Sequence, residues 1–273
     1  MPTRRRTLQA LAAAGATGIL GSAAYSQLSA SDDAPTALVA GSLLTVASNT
    51  PGASIEAHGS ATVAQLVRDD LRHPDAIALA DPALFRGITR EFTLFATNAL
   101  VLTYDPKSDH AESVQQDWRE AVRNPDIKLG RTDPKLDPLG YRTVMALQLA
   151  EGLDTDTVLD DSRIFAETGL LNALEAGGID AAFTYRNMAV ERGLPYVGLP
   201  DRIDFSDPMR RETYASVSYE LSEQTVQGAP IRYGVAALTP AGESWVRTLV
   251  GEERRLERAG FTIPRSYPKL GRP

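Results

Sequence analysis

The chain of 273 residues has no cysteine, few histidines and few lysines. Without cysteine there is no disulfide, no thiolate metal site and no lipid-modified cysteine to anchor the chain. The histidines, His58, His73 and His110, are scattered, and no His-Glu-x-x-His, P-loop, Gly-x-Gly-x-x-Gly or Ser-His-Asp order is present, so the common catalytic constellations are missing. No segment approaches the roughly 18 unbroken apolar residues of a membrane span. Lysine occurs only as Lys107, Lys128, Lys135 and Lys269, and the formal charge is −7. Setting aside Arg4, Arg5 and Arg6 makes it more negative, which argues against nucleic acid and anionic lipid as partners.

A hydrophobic content of 43% is enough for one large core or two modest lobes. Arg4, Arg5 and Arg6 precede an Ala/Gly/Leu-rich run to about Ala24, the layout of a twin-arginine export signal. Residues 1–31 are therefore expected to be signal and linker, and the protein to be secreted or held at the extracellular face. Short apolar runs at 37–40, 77–80, 92–104, 127–129, 181–185 and 231–238 read as strands, several continuous enough to be buried on both faces. Helical spacing appears at 61–71, 113–123, 141–152, 167–176 and 241–259. The alternation predicts an α/β fold with parallel sheets covered by helices. The long run 92–104 and a second extended segment, 214–221, suit two crossings between lobes. The expected architecture is two-lobed, with 34–102 plus 222–273 as lobe one, 103–221 as lobe two and a ligand cleft between them. A single doubly wound domain is the rival.

Four segments carry the chemistry. In 130–142, Gly-Arg-Thr-Asp-Pro-Lys-Leu-Asp-Pro-Leu-Gly-Tyr-Arg, Pro134 and Pro138 bias Asp133 and Asp137 away from helical geometry, while Gly140 allows close backbone approach at a helix start. Taken alone, this is as well read as an Asp-Pro turn with a capping aspartate. Gly41-Ser42 follows the first strand, and Gly59-Ser60 precedes a helix. Corners of this kind offer amides, a hydroxyl and a helix N-terminus to an anion, although each alone is more often a plain turn. The stretch 167–185 runs from Glu167 through a helix and a glycine stop into a strand ending at Tyr185. Alone, it reads as a first-turn glutamate and a strand-end tyrosine.

Together, and in this order, these segments resemble the archaeal tungstate/molybdate-binding proteins of ABC importers, a branch of the type II extracellular solute-binding proteins. The segment 130–142 is similar to that family's Asp-Pro-Asn-x-Asp-Pro-Cys-Gly-Tyr-Arg loop, with Leu139 in place of the cysteine. Gly41-Ser42-Leu43 and Gly59-Ser60 resemble its anion corners. The register of Leu170, Glu175, Gly177, Asp180, Phe183 and Tyr185 matches its helix-to-strand stretch. Asp75 to Asp81, Phe95 to Asn98 and Pro230 to Gly234 agree without adding chemistry. The acidic, lysine-poor balance is similar to that of secreted proteins from salt-loving archaea.

The resemblance implies a monomer that captures tungstate or molybdate and delivers it to an ABC permease and its ATPase, with no cofactor, no nucleic acid and no enzymatic activity. It implies ligand contacts from Gly41, Ser42, Ser60, Asp137, Pro138, Leu139, Glu167 and Tyr185. Asp137 and Glu167 would bond the metal centre, since hexavalent Mo or W can expand its oxygen shell from tetrahedral to octahedral and hard carboxylates suit it. Sulfate and phosphate, which cannot expand in this way, would be repelled by the two acids. The chain is shorter than the family pattern between Ser42 and Ser60, so the first helix is expected to be truncated or missing. The alternatives are a binding protein for another small anion such as sulfate, and an exported hydrolase using Ser60 or Ser42 with His58.

Overall fold

The computed structural model describes residues 34–222 and 224–273; the predicted export signal lies outside them. Two main sheets organise the chain. The first collects β1 (Thr36–Ala40), β2 (Ser54–His58), β3 (Ala76–Leu79) and β4 (Phe92–Thr97). The second is built from β5 (Leu100–Tyr104), β6 (Leu129–Thr132), β7 (Arg163–Phe165), β8 (Ala181–Tyr185) and β9 (Tyr196–Gly198). A hairpin of β10 (Ser218–Glu220) and β11 (Thr225–Gln227) follows, and β12 (Arg232–Ala237) and β13 (Lys269–Gly271) return to the first sheet. The strand orders are β13-β4-β12-β3-β1-β2 and β7-β6-β8-β5-β9.

Neither sheet is purely parallel. β1 pairs in parallel with β2 and β3, and β6 with β7 and β8. β12 runs antiparallel to β3 and β4, and β5 antiparallel to β8 and β9. The expected long strand 92–104 breaks at Asn98-Ala99, so that β4 ends in one sheet and β5 begins in the other. Alternation within β1 and β3 places the first sheet between two layers. Leu38, Ile77 and Leu79 pack with Val63 and Ala64 of the helix Ser60–Arg68, while Val39, Ala76 and Ala78 join a core that contains Trp245 and Leu249. This is the period-two pattern of a sheet buried on both faces.

Several boundaries depart from the sequence expectation. The helix expected at 113–123 is two, Ala111–Gln116 and Trp118–Arg123, because the Asp117 side chain accepts from the Arg119 and Glu120 amides and starts a new helix there. The helix expected from Tyr141 begins at Pro138, with Asp137 as its cap. Glu167 lies before the short helix Leu170–Glu175 rather than in its first turn. The segment 214–221 is not one extended crossing: Tyr214 ends the helix Arg211–Tyr214, and the strand after it belongs to the hairpin. After Ser42 the first helix is reduced to the five residues Leu44–Ser48.

Candidate functional site

The two Gly-Ser corners stand at strand ends of the first sheet, and of their four residues Gly59 lines the cleft beside them. β1 runs into a single turn, Gly41–Leu43, and β2 runs through Gly59 into the helix Ser60–Arg68. Ser60 is wholly buried, and its Oγ accepts from the Ala80 amide at 3.0 Å. Ser42 is also buried; its Oγ accepts from the Tyr233 hydroxyl at 3.2 Å and its carbonyl from the Asn187 side chain at 2.7 Å.

From the second sheet come the acids. Asp137 caps the helix Pro138–Leu149, with Oδ1 accepting from the Gly140 amide at 2.9 Å and from Thr132 Oγ1 at 2.8 Å. Pro138 occupies the first helical position, where its missing N–H costs nothing. Leu139 is a core side chain that presents only backbone here. A Cβ on Gly140 would lie 2.6 Å from the Asp133 carbonyl carbon, so the loop closes on itself only with glycine there.

Each glycine corner meets one acid. A Cβ on Gly59 would collide with the Leu136 carbonyl oxygen and come 2.7 Å from Asp137 Cβ. A Cβ on Gly41 would come 2.7 Å from Glu167 Oε2. The Thr62 amide donates to the Leu136 carbonyl at 3.1 Å, which ties the Ser60 helix to the Asp137 loop. Ala57, His58, Gly59 and Thr62 from one side, and Asp133, Leu136, Asp137 and residues 164–168 from the other, line a cavity of about 340 Å³. The expected acids therefore share one cleft.

Both acids are protonated more readily than ordinary carboxylates. Burial raises Asp137 to about 7 against the opposing bonds from Gly140 and Thr132, and the charge of Asp133 adds to the rise. Burial first, and then the negative charge of Asp137, push Glu167 well above the usual carboxylate range. Neither Glu167 oxygen finds a well-directed hydrogen bond, although the Ser42 hydroxyl and the Gly41 and Ser42 amides lie close enough to oppose the rise. An unpartnered buried carboxylate costs folding free energy, and it is the chemistry expected of a group that completes its shell with a guest.

Three expected ligand hydroxyls, all buried and none of them lining the cavity itself, share one logic. Ser60 accepts from the Ala80 amide, Ser42 from Tyr233 and Tyr185 from Arg142 Nη1 at 2.8 Å. Each thus has a lone pair engaged and keeps its own proton to donate. Burial pushes the Tyr185 phenol well above its ordinary range, so it stays protonated. The result is a set of donors beside two acids, suited to an oxyanion whose central atom can accept carboxylate oxygens.

The family model for bacterial extracellular solute-binding proteins matches residues 46–262. The chain belongs to that family. A Haloferax volcanii protein, provisionally named as the molybdenum-binding protein of an ABC transporter, is 44% identical over 97% of this chain and 93% of its own length. The molybdate/tungstate-binding protein WtpA of Thermococcus kodakarensis is 29% identical over 72% of this chain and 68% of its own. Among solved structures, the periplasmic molybdate-binding protein of Azotobacter vinelandii aligns with a TM-score of 0.59 at 13% identity, covering 84% of this chain and all of that one. A periplasmic thiamin-binding protein aligns at 0.51, with 12% identity and 87% of both chains. These likenesses carry the fold: a two-lobed α/β binding protein with its cleft between the lobes.

The hydrogen-bond network behind the cleft also contains residues that sequence reading passed over. Asp81, Asn98 and Tyr233 fall in segments that agreed with the family pattern without adding chemistry. Asn98, at the break between β4 and β5, donates to Asn187 Oδ1 at 2.7 Å and to the Tyr233 hydroxyl at 3.4 Å, and Tyr233 in turn donates a hydrogen bond to Ser42 Oγ. Arg142 and Asp81 form a buried ion pair at 2.8 Å. The only sequence signal for them was position: a polar residue at the end of an apolar strand, and an arginine in the first turns of a buried helix. His58 lines the cleft but pairs with Glu56 at 2.7 Å. With Ser60 engaged by Ala80, no Ser-His hydrogen bond forms among the described residues, and the hydrolase alternative has no geometry to rest on.

Proposed function

We propose that this solute-binding protein captures molybdate or tungstate outside the membrane and hands it to an ABC permease and its ATPase, as a monomeric carrier and not an enzyme, after export on a twin-arginine signal. One observation carries the reading: two buried acids from separate loops, Asp137 and Glu167, face one cleft and repel each other there. The names of the relatives in Haloferax and Thermococcus point the same way. A site for sulfate gains nothing from such a pair. A metal centre that can widen its oxygen shell converts their repulsion into two bonds, while Ser42, Ser60, Tyr185 and the Gly41 corner donate to its oxo groups and the backbone at Pro138 and Leu139 closes the loop over it.

We draw the lobes around the two sheets. Residues 34–97 with the C-terminal strands form one and the middle of the chain the other, with a first crossing at Asn98-Ala99. In the closed arrangement the serines of one lobe would act with the acids of the other on the same anion.

Calorimetric titration of the folded protein at high salt tests this. Heat of binding is expected with molybdate and tungstate and little with sulfate; absence of heat with both metal oxyanions overturns the reading, and equal binding of sulfate turns it into a general anion carrier. Asp137→Ala and Glu167→Ala should each weaken molybdate binding by 100-fold or so, a loss of about 3 kcal/mol, and narrow the preference over sulfate. Unchanged discrimination would exclude direct ligation.

A further inference from the structure

Behind the cleft, the chain at the end of β3 grips the helix Pro138–Leu149 through three buried hydrogen bonds, and a fourth ties that helix to Tyr185. The Tyr141 hydroxyl donates to Asp81 Oδ2 at 2.7 Å and Arg142 Nη2 to the same oxygen at 2.8 Å. Arg142 Nη1 donates to the Ala80 carbonyl at 3.0 Å and to the Tyr185 hydroxyl at 2.8 Å. Asp81 and Ala80 belong to the first sheet's side, whereas Tyr141, Arg142 and Tyr185 belong to the second. Arg142 and Tyr141 are 2% and 0% exposed, and Asp81 is 6% exposed. None of these atoms depends on a guest for its partner.

We propose that Asp81, Tyr141 and Arg142 form a clasp across the two lobes that holds them together without ligand, and that Arg142 is a positioning residue that fixes the Tyr185 hydroxyl as a donor to the bound anion. The geometry gives the two roles one origin. Arg142 occupies the acceptor side of the Tyr185 hydroxyl, so that hydroxyl's proton is left to go to another acceptor, and Glu167 is close enough for its charge to act on the phenol. The Ala80 residue that accepts from Arg142 through its carbonyl also donates through its amide to Ser60. Opening the clasp therefore disturbs a ligand hydroxyl on each side of the cleft at once. A buried pair that loses one member leaves an uncompensated charge, so isosteric variants are the suitable probes.

The second role rests on the oxyanion reading and the first does not, which separates their tests. The chain lacks cysteine, so Asp69→Cys and Asp156→Cys, both at exposed positions on opposite sides, give clean sites for a spin-label pair. In the absence of any anion, the parent should show the short, closed distance. Asp81→Asn and Tyr141→Phe, in that background, should shift a measurable share of molecules to a longer one. An open parent, or an empty Asp81→Asn with the parent's distance distribution, overturns the clasp, whether or not any oxyanion binds.

For the second role, molybdate affinity is measured in a double-mutant cycle of Arg142→Lys and Tyr185→Phe. If Arg142 acts through the hydroxyl, Tyr185→Phe alone costs roughly tenfold, and Arg142→Lys costs clearly less in the Tyr185→Phe background than in the parent. Fully additive losses overturn the positioning role. Failure of the parent to bind molybdate or tungstate overturns the proposed function, and the distance measurement still decides the clasp.

Discussion

The corners at Gly41-Ser42 and Gly59-Ser60 have the same two residues and similar burial, yet they are held in different ways. Ser60 is fixed locally: its partner is the amide of Ala80, at the end of a strand in its own sheet, and its helix runs nine residues. Ser42 is fixed at a distance: its hydroxyl depends on Tyr233, and its carbonyl on Asn187 from the other sheet's side. Their facing acids differ in the same sense. Asp137, opposite Gly59, is tied by Gly140 and Thr132, whereas Glu167, opposite Gly41, has no well-directed bond. The difference teaches that one half of the cleft is preformed, and that the other is the half which, on the proposed function, the guest completes.

Substituting the glycines should separate the halves most strongly. Gly59→Ala would drive a methyl into the Leu136 backbone, which cannot move without parting the lobes, whereas Gly41→Ala meets the end of the Glu167 side chain, which can swing away. Overpacking of this kind costs about 1–3 kcal/mol, and the upper end is expected for molybdate binding by Gly59→Ala and the lower for Gly41→Ala. Equal losses in calorimetry would mean that the two corners are equally rigid.

The acids give the next contrast, through pH. Asp137 moves from 3.8 in the unfolded chain to about 7, and Glu167 is also raised. The folded empty protein therefore holds these protons more tightly than the unfolded chain. That contribution to stability is full below the unfolded values and is lost as pH rises through the folded ones. Melting of the empty protein should fall between pH 5 and pH 8 by several degrees. Glu167→Gln should flatten the fall more than Asp137→Asn, because the Glu167 carboxylate has the fewer bonds to lose. Glu191, raised by burial to about 7 as well, should leave a residual slope in both. A melting temperature that climbs across this range would contradict the buried state of the pair.

The serines give the last contrast, read in stability and not in binding. Ser60→Ala strands the buried Ala80 amide and should cost about 1–3 kcal/mol of stability. Ser42→Ala removes the acceptor of the Tyr233 proton, but a hydroxyl can rotate toward another acceptor as a backbone amide cannot, so about 1 kcal/mol is expected. Denaturant melts of the two variants check the order, and a larger loss at Ser42 would reverse the assignment of the preformed half.

How much of this the sequence disclosed follows the same division. Features fixed by local rules were legible: Gly-Ser at a strand end, Asp137 before a proline and a helix, and Tyr185 closing a buried strand. The reading also brought Asp137 and Glu167 to one cleft, through a resemblance and not through any spacing. What it missed depends on partners distant in the chain. Nothing around Asp81 announces Arg142, and Asn98 carries no Gly or Pro to mark the break where β4 and β5 part. β2 escaped notice because its edge position leaves it half-buried, with Ser, Glu and His among its five residues. Glu167 was expected in a helical turn because the apolar spacing runs on behind it, whereas the chain turns at 166–169 before the helix begins.

X-ray absorption at the metal edge of the protein loaded with molybdate or tungstate asks the decisive question of the bound anion itself. Two added oxygen neighbours, longer than the oxo bonds and lost in Asp137→Ala and Glu167→Ala, are the predicted result. A spectrum with the unaltered tetrahedral shell of the free anion would contradict it.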